Sequence, residues 1–197
     1  MEFFVYVLLG ITSVVGLTFI VERAWALRWR KVLPPEVETA VSSCQTREDV
    51  PMLRRTCEQR PSPLSRLLLM ASEHLDWPQA DNTDALQTRA RHEIVKLERG
   101  LVVLEVIVGI APLLGLVGTI AGMMSAFGDV GKTGLTDAGK LAHDIAIILN
   151  ATLWGLLIAI PSLVFWSYYN KKVEILASEM ETLCDEFIRR QYRANKS

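Results

Sequence analysis

The sequence predicts an all-α membrane protein in which three transmembrane helices carry long helical cytoplasmic extensions. Three observations lead there. Of the 197 residues 50% are hydrophobic and 22% are charged, so apolar and charged residues must be segregated along the chain. Charge-poor stretches run over 3–21, 100–128 (interrupted by Glu105) and 145–170, and a helix needs about 20 apolar residues to cross a hydrocarbon core of roughly 30 Å. No stretch of useful length alternates apolar and polar residues as a strand would.

Residues 1–28 are expected to hold transmembrane helix 1. No Lys or Arg precedes the apolar run, and Glu22-Arg23-Ala24-Trp25 follows it where a signal peptide would have small residues, so an uncleaved span is expected. The segment 29–99 is read as cytoplasmic and helical. Thr46 before Glu48 and Asp49, Ser62 before Pro63, and Asn82 or Thr83 are its candidate N-caps, giving two or three short helices beside a long one.

The long helix is expected from a stripe of apolar or small residues at Leu86, Ala90, Ile94, Leu97, Leu101, Leu104, Val108, Ala111, Gly115, Gly118 and Gly122, in steps of three and four. This implies that transmembrane helix 2 (100–128) continues into the cytoplasm as a rod of about 45 residues, roughly 65 Å. An outer loop (129–144), transmembrane helix 3 (145–170) and a cytoplasmic tail (171–197) complete the chain. Of 21 Lys and Arg, 13 fall between Arg23 and Arg99, six follow Asn170, and only Lys132 and Lys140 lie between spans two and three. The positive-inside rule then puts the large middle segment and the C-terminus in the cytoplasm, with the N-terminus and the 129–144 loop outside. Cys44, Cys57 and Cys184 fall on the cytoplasmic side without CxxC spacing and read as small buried or idle thiols.

Two segments concentrate the chemistry. Span two contains APLLGLVGTIAGM (111–123), with Gly115, Gly118 and Gly122 on one side of the helix, where missing side chains admit another helix. Span three contains ATLWGLLIAIP (151–161), with Gly155 three residues after Thr152. Pro112 and Pro161 are grouped with these glycines as packing residues. Thr119 lies ten residues before Asp129 and Thr152 eight after Asp144, so both hydroxyls are expected about 12–15 Å from the outer boundary, near the bilayer middle and at one level. A membrane hydroxyl needs a partner, which its own helix can supply.

These two segments closely resemble the signature segments of the ExbB/TolQ/MotA proton-channel family, and Ile20-Val21-Glu22-Arg23 resembles the end of its first span. The three-span plan is similar to the ExbB/TolQ branch, and the resemblance implies a bacterial inner membrane with the N-terminus and the 129–144 loop in the periplasm. The resemblance implies a homopentamer around two copies of an ExbD/TolR-like single-span partner, whose membrane aspartate carries protons past Thr119 and Thr152. It further implies that proton flow drives work on a TonB/TolA-like protein or another periplasmic system, TonB-dependent uptake being one example.

One position departs from the pattern. Many ExbB-like members have a glutamate five residues before the span-three threonine, and here that residue is Ile147. Asn150 shares its helix face, and either supplies the missing polar contact or is an interhelical hydrogen-bonding residue. Glu105 lies fourteen residues from Thr119, within about 40° on the helix. It either lines the cytoplasmic exit of the same path or forms a rim salt bridge with Arg99 or a neighbouring subunit. The pair His143-Asp144 is too small for a metal site. No phosphate loop, nucleophile elbow or Cys/His cluster occurs, so no enzyme activity, cofactor, metal or nucleic-acid partner is expected. The rival to a proton channel is a non-conducting scaffold that anchors a partner in the bilayer. A solute transporter is disfavoured because the chain has no repeated half.

Overall fold

The computed structural model describes residues 2–133 and 138–194, with side-chain detail at all of them except 2, 129–133, 138 and 140. Those residues form α1 (Glu2–Ala26), α2 (Trp29–Val32), α3 (Pro35–Ser43), a 3₁₀ turn (Arg47–Asp49), α4 (Val50–Gln59), α5 (Pro63–Glu73), α6 (Gln79–Glu98), α7 (Leu101–Thr133) and α8 (Ala138–Ala194), with no strand among them. Three helical stretches are long and apolar enough to cross a membrane: Phe3–Ala26, Leu101–Gly128 and Leu141–Ala194. The all-α membrane fold is therefore as the sequence predicts.

The chain divides into two compact units, one made of the residues up to Arg23 with Gly100–Tyr168, the other of Ala24–Arg99 with Tyr169–Ser197. In the first, α7 runs antiparallel to both α1 and α8. Gly118 approaches Val5 near one end of α1 and Ile107 approaches Gly16 further along, while Gly115 meets Ala151 and Gly155 meets Ala111. On α1 the buried positions Val5, Leu9, Gly16 and Ile20 recur at steps of four and seven, one face of a 3.6-residue helix. Large apolar residues on the remaining faces, such as Val14, Leu113, Leu116, Leu153 and Ile160, are exposed, as expected of helices whose solvent is lipid.

In the second unit α3, α4, α5 and α6 pack in chain order. Val37, Val41, Leu53, Leu64, Leu67, Leu176, Phe187 and Ile188 are among its fully covered residues. Ser62 caps α5 as expected, its hydroxyl accepting from the Ser65 N–H at 3.0 Å. Asp49 accepts from the Thr46 and Gln45 N–H groups at 2.9 and 3.1 Å, and these bonds, Thr46's first, hold its carboxyl below the usual range. All three cysteines are free and buried. Burial pushes the Cys44 thiol up, that of Cys57 to about 11 and that of Cys184 to about 12, which keeps them protonated and idle.

Several expectations need correction. Neither Asn82 nor Thr83 caps a helix. α6 begins earlier, at Gln79 behind Pro78, because Pro78 already supplies a fixed backbone entry. Asn82 is instead fully buried inside α6, donating to the Ala71 carbonyl at 3.1 Å and to the Tyr192 hydroxyl at 3.3 Å. The long stripe is interrupted, with turns at Arg99 and Gly100 separating α6 from α7. Gly100 weakens the helix there, and the Arg23 side chain fills the space a Cβ would take. The uninterrupted long helix is α8, whose 57 residues include both the expected third span and most of the tail. In the segment expected as a loop, 129–133 and 138–144 are helical; residues 134–137 lie outside the described residues.

Glu93 gathers three cations of the second unit. It is fully buried, and its carboxylate accepts from Arg66 Nε and from Lys96 Nζ, each at 3.0 Å, with Arg89 Nε at 3.8 Å. Burial alone would raise its pKa, but the hydrogen bonds from Arg66 and Lys96 outweigh burial and hold it below the ordinary value. A carboxylate with a lowered native pKa contributes stability that is fully present above its unfolded pKa, about 4.3, and is lost as pH falls through the native value. Thermal melts of the purified chain should therefore weaken as pH drops below about 4.3, and Glu93→Gln should flatten that decline. At pH 7, Arg66→Ala should cost about 2 kcal/mol because it exposes a buried charge that Lys96 only partly compensates. Arg54→Ala, which breaks an exposed pair with Glu73, should cost less than about 0.5 kcal/mol.

Candidate functional site

The contact between α7 and α8 is made at backbone distance. A Cβ on Gly115 would lie 2.8 Å from the Ala151 carbonyl oxygen and 2.9 Å from the Thr152 Cα. One on Gly155 would lie 2.6 Å from the Ala111 oxygen and 3.2 Å from the Gly115 Cα. Ala111 and Gly115 on one helix, and Ala151, Gly155 and Ala159 on the other, thus form matching rows of small residues at four-residue spacing. Gly118 continues the row against Ala151 and Val5, and Gly122 is buried in line with it.

The threonines flank this seam. Thr152 donates to the Gly115 carbonyl at 3.4 Å, long for a hydroxyl bond and easily redirected. Thr119 donates to Leu116 in its own helix at 2.8 Å, so its proton is engaged while its lone pairs remain available. They are not level with one another. Thr152 sits opposite Gly115, and Thr119 is four residues further along α7, about 6 Å away; the sequence counts missed that offset because they measured from helix ends that continue past Asp129 and before Asp144.

Helical geometry places the remaining candidates on two sides. On α7 the contacts to α1 come from Ile107 and Gly118, and at 100° per residue Glu105, Pro112 and Thr119 share the opposite flank of the seam. On α8 the residues facing α1 are Trp154, Leu157, Pro161 and Ser162, which line a cavity of about 420 Å³ with Tyr6, Leu9 and Ser13. Thr152 lies on the flank away from them. Asn150 lies two residues, about 200°, from Thr152, so it belongs to the α1 side with Ile147, which lines a small crevice with Val5 and Tyr6. The structure thus brings Thr119, Thr152 and Glu105 to one side of the α7–α8 pair and sets Asn150 on the other. Pro161 serves the cavity rather than the seam. Glu105 is exposed among apolar neighbours.

Sequence reading missed Gly16, which lets α1 approach Ile107 and the Ser162 hydroxyl, both 3.5 Å from the place of its Cβ. The signal was present as the spacing of Val5, Leu9, Gly16 and Ile20. The sequence profile of the MotA/TolQ/ExbB proton channel family matches residues 60–182, more than half of the chain and all of this seam. The chain belongs to the MotA/TolQ/ExbB proton channel family. A biopolymer transport protein ExbB of Helicobacter pylori is 32% identical over 109 residues, covering 55% of this chain and 70% of that protein. A putative biopolymer transport protein ExbB-like 2 of the same species is 33% identical over 118 residues, 60% of this chain and 73% of its own. A putative ExbB-like 1 protein of Synechocystis is 28% identical over 186 residues, 88% of this chain and 72% of its own. Membership makes this chain a membrane protein of a channel class rather than of an enzyme class. Among the described residues no three His, Cys, Asp or Glu gather as a metal site.

The seam predicts a clear order of sensitivity in this proton-channel chain. Gly115→Ala and Gly155→Ala should each reduce thermal stability in mild detergent by about 1–3 kcal/mol, the range for overpacking. Gly10→Ala and Gly109→Ala, where an added Cβ meets nothing within 4 Å, should be neutral in the same melts.

Proposed function

We propose that the chain is the channel-forming subunit of an inner-membrane proton-driven motor, and that protons pass along the side of the α7–α8 pair bearing Thr119, Thr152 and Glu105. The observation that carries this reading is the shared flank of those three residues, away from α1. A hydroxyl donates and accepts without holding a charge, so two of them a helical turn apart serve as relay points for water or for a partner carboxyl. The partner is a single-span protein of the ExbD/TolR kind with a membrane aspartate, which sits against this flank inside a homopentamer. The N-terminus is periplasmic and the C-terminus cytoplasmic, as the distribution of basic residues supports. Each charge moved through 100 mV releases about 2.3 kcal/mol, enough to bias a rearrangement. That work is delivered to a periplasmic or outer-membrane system through a TonB/TolA-like protein.

One observation favours the scaffold reading instead: the Thr119 hydroxyl is already bonded to its own helix. The two readings separate in vesicles that contain this chain and its single-span partner. Thr152→Val should lower proton flux at least about tenfold, the loss expected when a positioned proton-transfer group is removed, and Thr119→Val should also lower it, with assembly unchanged. Asn150→Leu, on the α1 side, should stay within about twofold, since an interhelical amide contact averages only about 0.6 kcal/mol. Wild-type flux in both threonine variants would make the hydroxyls packing residues and the protein a scaffold.

A further inference from the structure

The end of α1 carries a cluster of exposed aromatic and basic side chains that neither the seam nor the Glu93 network uses. Trp25 follows Val21 by four residues on the same helix, about 6 Å beyond the apolar run, and is 64% exposed. The Arg28 guanidinium and the Lys31 ammonium both stand over its ring, 5.9 and 5.8 Å from the centroid. Trp29 is also exposed and donates its indole N–H to Glu38 at 3.3 Å. Among the described residues, Arg28, Arg30 and Lys31 have no carboxylate within ion-pair distance, whereas Arg23 is paired with Glu22 at 2.6 Å.

We infer that Trp25, Arg28 and Lys31, with Arg30 beside them, form a binding site for the phosphate of an anionic phospholipid headgroup. An indole is apolar in body and polar at its edge, and its preferred place is the boundary between acyl chains and headgroups. Both cations stand within about 6 Å of the ring centroid, and a phosphate beside them receives charge-assisted hydrogen bonds. Their charge is uncompensated among the described residues, since Glu22 pairs with Arg23 and Glu38 accepts from Trp29, and at the end of a transmembrane helix anionic lipid is a ready source of negative charge. A free inorganic anion would gain the same charges but nothing from the exposed indoles, which bury only against acyl chains. The lipid is therefore the occupant.

Native mass spectrometry of the full chain in mild detergent tests this, with phosphatidylglycerol and phosphatidylcholine offered at equal concentration. The wild type should retain phosphatidylglycerol preferentially, and R28Q/R30Q/K31Q should lose that preference by at least about fivefold, the effect of a single basic residue at an anionic surface. R54Q/R55Q, basic residues elsewhere in the helical segment, should keep it. Should the triple variant fail to fold by circular dichroism, R28Q and K31Q singly should each give part of the loss. Equal retention of the two lipids by the wild type, or undiminished preference in the folded variants, would overturn the inference. So would displacement of phosphatidylglycerol by millimolar inorganic phosphate, which would mark a general anion site.

Discussion

Everything in the membrane unit depends on two helices touching at their backbones. Inside a bilayer there is no hydrophobic gain from pairing one apolar helix with another, because lipid tails are as apolar as leucine. Close approach must supply the attraction through dispersion and carbonyl contacts, and only residues with little or no side chain permit it. Gly115 against Ala151 and Thr152, and Gly155 against Ala111 and Gly115, provide that approach. Once the seam is set, the flank of each helix is set as well, and with it which polar side chains face one another.

That geometry gives the family's polar residues distinct neighbourhoods. The Thr152 hydroxyl reaches across the seam to a carbonyl at 3.4 Å, while Asn150, two residues earlier, is turned to the α1 side. The absence of a glutamate at Ile147 fits this division. Ile147 lines an apolar crevice with Val5, Tyr6, Gly118, Ile148 and Ala151, where a carboxylate would be costly unless paired. An apolar residue there leaves the polar chemistry to the opposite flank.

The three spans and the family were legible in the sequence because they rest on local features, length against bilayer thickness and two long motifs, and the small residues at repeated spacing stand in those same motifs. The side occupied by Asn150 was less so. Its helix position could be counted from Thr152, but which flank faced α1 depends on contacts such as Gly16 with Ile107 and Ser162, which join residues far apart in the chain. Asn82 misled for a similar reason. It is a favoured cap residue, yet its amide is bound to Ala71 and to Tyr192, a partner 110 positions away that no local rule reveals. Glu93 carries no local signal of burial either, because the Arg66 that neutralises it comes from α5, 27 positions away.

The central claim is that the α7–α8 flank opposite α1 is the hydrated one. The most direct measurement is the reactivity of a single introduced cysteine with a small, charged thiol reagent in membranes containing the partner protein. The native thiols are buried and held protonated, so they stay silent. The account predicts that cysteine replacing Thr152 is modified and that cysteine replacing Asn150 is protected; modification of the latter with protection of the former would contradict it.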